Sequence, residues 1–170
     1  MTENKRFSNT PTPAGHKPPA ADFHDAASTV QADMARYFAG VNVESEYLKN
    51  LLAKTIWIIL LSGDRNDLCF GSVVEGHTIA GGIAEVTGDH CIRIDSRQLK
   101  HYEEPVAMAL LAHELAHDHL RHFKTWKNNL DDEHSADNLA KKWGFNIDQF
   151  RKTFGPPVMN SRLQQIAVIR

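Results

Sequence analysis

Apolar residues fall at helical spacing in several separate stretches of this chain. The first runs from about Ala26 to Ala39, where Val30, Met34, Tyr37, Phe38 and Val41 follow an i, i+4, i+7, i+8 stripe and Gly40 suits the helix end. A second pattern, Glu44 to Lys54, pairs Tyr47/Leu48 with Leu51/Leu52. It runs into Ile56–Leu61, which reads either as continued helix or as a buried strand; its β-branched and aromatic content favours the strand. Between Gly63 and Gly88 six glycines punctuate short segments, and Phe70–Val74 and His77–Val86 are the candidate strands. After Gly88-Asp89, the alternating stretch His90–Asp95 predicts a strand with Cys91 or Ile92 and Ile94 inward, and a small antiparallel sheet is the expected outcome.

The next helix is predicted from near Glu103. Glu103 and Glu104 suit its positive end and Pro105 its first turn. Val106 to Ala112 are apolar on every face, which places this helix at the centre of a core, and the polar residues after His117 (Asp118, His119, Arg121, His122) mark its emergence. A polar loop, Lys124–Asn129, leads to a helix from about Asp131 to Trp143 that stops at Gly144. Asn146–Phe154 predicts a short helix with Ile147, Phe150 and Phe154 on one side, broken by Gly155-Pro156-Pro157. A last helix is expected over Met159–Ile169.

The central helix also carries chemistry: Ala112-His113-Glu114-Leu115-Ala116-His117 is an H-E-x-x-H match. Four residues apart on a helix, His113 and His117 lie one above the other and can grip one ion. Glu114, about 100° round the helix, is placed to serve as general base to a water at that ion. A catalytic zinc site needs a third protein ligand. Glu133 lies near the start of the following helix, and two antiparallel helices would bring it level with the histidines. Asp137, one turn further on the same face, is placed to accept the second N–H of a ligand histidine, while Ser135 and Ala136 allow close helix approach. Counted at 100° per residue, His119 and His122 point away from the metal face and read as solvated. His77, His90 and His101 fall in no such pattern.

Leu110–His117, continuing through Leu120-Arg121-His122, resembles the metal helix of gluzincin peptidases, and most nearly that of the CAAX-prenyl-protease and heat-shock membrane-protease family with its soluble relatives. Glu133 to Asp137 fits that family's E-x-x-A-D pattern. Ser96–Leu99 resembles the end of its edge strand, and Gly155-Pro156-Pro157 with Arg162-Leu163 resembles its later His-Pro-Pro…Arg segment. The resemblance spans about residues 92–166. It implies one zinc ion held by His113, His117 and Glu133, with Glu114 as base, on a zincin-like α+β fold in which the sheet packs on the metal helix. The sequence departs from the family in a shorter spacing from His117 to Glu133, nearer to thermolysin-like and repressor-cleaving metallopeptidases. It also departs in His134 at a usually apolar position, in Gly155 where the later motif has histidine, and in lacking the membrane members' transmembrane helices.

Composition narrows the setting. Residues 1–22 hold Pro11, Pro13, Pro18 and Pro19 with little apolar surface and read as a disordered tail, leaving 23–170 as a single domain. A net charge of −2 gives no nucleic-acid footprint, although Lys141, Lys142, Arg151, Lys152, Arg162 and Arg170 form a basic C-terminal part. No apolar run approaches the roughly 20 residues that span a bilayer. Cys69 and Cys91, in no C-x-x-C spacing, read as small core residues of a reduced, cytoplasmic protein. The expected reaction is hydrolysis of a peptide bond in a protein or peptide substrate, paired as an extended strand along Cys91–Asp95. Tyr102, His134 and Arg162 are the candidates for a second donor to the oxyanion. The alternatives are a repressor-cleaving or regulatory metallopeptidase of a mobile element with one dedicated target, a zinc-binding domain without turnover, and a metal-free helical protein. The intact Glu114 argues against the second, and the Glu133/Asp137 pair against the third.

Overall fold

The structure is a computed structural model and describes residues 34–63, 68–79, 81–122 and 130–157. The proline-rich tail, the first part of the helix expected from Ala26, the loop Lys124–Asn129 and the expected helix Met159–Ile169 with Arg162 lie outside the described residues.

The described part of helix α1 covers residues 34–38, and strand β1 is Val41–Asn42. Helix α2 spans Glu46–Leu61, with Ser45 as N-cap accepting from Leu48 N. It takes in the whole of Ile56–Leu61, so the strand expected there is helix. The reason is phase: Leu48, Leu51, Leu52, Thr55, Ile56, Ile59 and Leu60 are all buried, one unbroken helical stripe. Only the helix buries all seven on one side, and this tertiary gain overrides β-propensity. Thr55 Oγ1 donates to Leu51 O at 2.8 Å, which keeps its hydroxyl satisfied inside the core. Trp57 and Leu61 are left on the exposed side.

Among the described residues the sheet has four strands in the order β1-β2-β4-β3, where β2 is Ser72–Glu75, β3 is Ala84–Thr87 and β4 is Cys91–Ile94. It is mixed rather than antiparallel. β1 and β2 run parallel, β2 and β4 run parallel, and only β3 and β4 are antiparallel. Helix α2 between β1 and β2 is a crossover, and a crossover joins parallel strands. The tight turn from Thr87 to Cys91, with His90 at φ 64°, joins β3 and β4 as an antiparallel hairpin. β4 lies inside the sheet, paired on both sides, so the strand assigned to substrate pairing has no free edge. The edges are β1 and β3. Ser96–Leu99, likened to the end of an edge strand, is a short helix, α3, capped by Asp95, which accepts from Arg97 N and Gln98 N.

Helix α4 (Glu104–His119) is central. It packs on α2, β3 and β4, on α5 (Leu130–Lys142) and on α6 (Ile147–Phe154). Ala109, Ala112 and Ala116 of α4 and Ala136 and Ala140 of α5 are fully buried, and these small residues let the two helices approach closely. Ser135, expected to share that role, is exposed. Asp118 does not mark emergence into solvent. It is fully buried and accepts from Gly71 N at 2.8 Å and from His90 Nδ1, tying the end of α4 to the sheet. A Cβ on Gly71 would sit 1.8 Å from His90 O, so the close approach admits only glycine. Cys91 is buried as expected, whereas Cys69 is exposed. Among the described residues no helix is long and apolar enough to cross a membrane.

Candidate metal centre

Helix α4 presents His113 and His117 on the side facing α5. Their Nε2 atoms are 3.0 Å apart. Glu133, in the first turn of α5, completes a triangle: Oε2 lies 3.4 Å from His113 Nε2 and Oε1 lies 3.4 Å from His117 Nε2. Donors bound tetrahedrally to one ion at 2.0–2.1 Å are about 3.3 Å from one another. The three side chains therefore already stand at the separations that one small ion requires, and His113, His117 and Glu133 could hold a metal ion.

Each donor has a partner behind it. His113 Nδ1 lies 2.9 Å from Asp137 Oδ1, one turn along α5 from Glu133. Arg151 on α6 reaches both acids: its Nε donates to Asp137 Oδ2 at 2.7 Å, and its Nη2 donates to Asp137 Oδ1 at 2.9 Å and to Glu133 Oε2 at 3.0 Å. The Phe150 ring covers His113, with centroids 5.2 Å apart. Behind His117 stands His122, with the two Nδ1 atoms 2.8 Å apart. The outward direction expected for His122 fails because α4 ends before it. Arg121 takes a left-handed φ of 60°, and the chain turns back. His119 is not simply solvated either: its Nδ1 accepts from Cys69 N at 3.2 Å and its ring meets Trp143.

The electrostatics favour positive charge between the donors. Burial alone pushes His113 down, but hydrogen bonds to Asp137 and Glu133 outweigh it and raise the imidazole to about 9. Burial acts upward on Glu133, yet the two histidines hold its carboxyl far below the usual range. Asp137 is likewise lowered, by His113 and Arg151 against its burial. His117 is pushed down by burial and by the charge of His113. A divalent ion meets the same preference for positive charge. Glu114 behaves differently from the other acids: burial raises it, with Glu133 and Glu85 adding and His113 opposing, to about 7. Such a carboxyl exchanges a proton readily near neutrality.

Four of the residues expected at the site, His113, His117, Glu133 and Asp137, come together, and Glu114 follows His113 on the same helix. Two of the three oxyanion candidates lie within the described residues. Tyr102 packs at a tilt on Phe154, which packs at a tilt on Phe150, the ring that covers His113. His134 is exposed beside Glu133, and Arg162 lies outside the described residues. Arg151 was not anticipated. Its signal is a cation four residues after Ile147 and next to Phe150, on the apolar stripe of α6. No protein-family model matches the chain, and no curated protein or solved structure matches it.

Proposed function

We propose that this protein is a zinc-dependent metallopeptidase that hydrolyses peptide bonds in extended protein or peptide segments. The observation that carries this reading is the convergence of His113, His117 and Glu133 at tetrahedral spacing, with Glu114 in the next helical position. Two imidazoles and a carboxylate suit zinc, and the resemblance of the two motifs to gluzincin peptidases points the same way. A zinc ion held there would supply Lewis-acid polarisation of a carbonyl and an acidified water. The protein's own residues do the rest. Glu114 would take a proton from the attacking water and deliver it to the leaving amine. Asp137 holds His113 in the Nδ1–H tautomer, which leaves Nε2 free as a donor. Arg151 donates to Glu133 and helps to hold it turned towards the histidines. β3, a sheet edge packed on α4, is the strand along which an extended substrate would add backbone hydrogen bonds.

The test is metal analysis of the purified chain together with cleavage of a protein and peptide panel, with and without chelation. One zinc per chain and chelator-sensitive cleavage support the proposal. Stoichiometric zinc with no cleavage across the panel leaves a zinc-binding domain without turnover.

A further inference from the structure

Resting on the metal-centre reading, we infer that His122 is a positioning residue for the ligand His117. Two ring nitrogens 2.8 Å apart share one proton, because two N–H groups or two lone pairs would repel. His117 must carry its proton on Nδ1 if Nε2 is to face the ion beside His113 Nε2 and Glu133 Oε1. It therefore donates to His122 Nδ1. That places the proton of His122 on Nε2, the atom that faces Asp132 Oδ1 at 3.8 Å. The whole chain His117–His122–Asp132 thus has one tautomeric order.

The three side chains are 13%, 15% and 18% exposed, so solvent offers little competition for the Nδ1 proton. The left-handed turn at Arg121 holds the His122 ring against that of His117, with centroids 5.0 Å apart and planes 72° from parallel. His122 is not a fourth ligand: it stands at the back of the His117 ring, away from Nε2. The site is accordingly asymmetric. His113 is oriented directly by a carboxylate, and His117 by an imidazole with a carboxylate beyond it.

The test uses the full chain and reads zinc affinity by chelator competition, the visible spectrum of the cobalt(II) form, and melting in EDTA. His122→Leu keeps bulk and removes the acceptor. It is expected to weaken zinc binding about 10–100-fold, the usual cost of losing an outer partner of a ligand histidine, to alter the cobalt spectrum, and to leave melting in EDTA close to wild type. His122→Asn offers an amide oxygen where Nδ1 stood and is expected to restore most of the affinity. His122→Gln, whose oxygen reaches the far nitrogen's place, is expected to restore less; if the Leu variant does not fold, the contrast between Asn and Gln decides. Wild-type affinity in His122→Leu, or Asn no better than Leu or Gln, overturns the role. A wild-type chain that takes up no zinc overturns the metal-centre reading itself, which is a separate outcome.

Discussion

Arg151→Met tests how the two acids of α5 are kept at the centre. The change retains much of the aliphatic bulk and removes a guanidinium that makes three hydrogen bonds, two to Asp137 and one to Glu133. Arg151 is 18% exposed, and both carboxylates are 12% exposed. Breaking a buried pair by removing one partner costs about 3–5 kcal/mol, and the residual exposure favours the lower end, ~3 kcal/mol. For a chain of this size that corresponds to a fall in melting temperature of roughly 10 °C. The loss has a pH signature. The folded-state carboxyls are lowered, so their contribution is present above the ordinary carboxylate range and disappears as pH falls through the folded values. The deficit of Arg151→Met, measured by urea unfolding in EDTA, is therefore expected in full at pH 7 and should shrink only in more strongly acid solution, because His113 and His117 still hold the two carboxyls low. Added zinc should also reduce it, because a bound cation neutralises Glu133. Arg151→Lys should recover only part, since one ammonium cannot match the fork that spans two acids. A deficit under ~1 kcal/mol at pH 7, the range of an exposed pair, would refute this role for Arg151.

Other predictions follow from the same structure. Asp118→Ala removes the buried acceptor of the Gly71 N–H and of the His90 ring and should cost about 1–3 kcal/mol by chemical denaturation, well above a surface substitution. Ile59→Ala should cost about 2–5 kcal/mol while Trp57→Ala costs far less, a contrast that a strand with alternating faces would not produce, since both would then lie on one face. In metal-free protein the raised His113 contributes stability that is complete below pH 6.5 and is lost as pH rises towards 9; the urea midpoint in EDTA should fall across that window.

The parts of this site that were legible in the sequence are those governed by local helical geometry. His113 and His117 sit one turn apart, as do Glu133 and Asp137, and once each pair lies on a helix its common face follows from the spacing. Facing the two helices needed only a short connection between them. What escaped was set by distant partners or by breaks in phase. The direction of His122 depends on one left-handed residue, Arg121, that a helical wheel carries straight past. Asp118 is buried because Gly71 and His90, far away in sequence, come to meet it. Strand order was hidden because β1 is only two residues long and β4 inserts between β2 and β3. For Ile56–Leu61 local propensity and helical phase disagreed, and the phase of the buried stripe prevailed.

In the proposed mechanism Glu114 moves the proton at a zinc centre built from His113, His117 and Glu133. The most direct measurement pairs zinc content with turnover in Glu114→Gln, which keeps the shape of the side chain and removes its basicity. One zinc per chain is expected in both proteins, with cleavage slowed by about 10²–10⁴-fold in the variant. Equal cleavage by the two zinc-loaded proteins would contradict it.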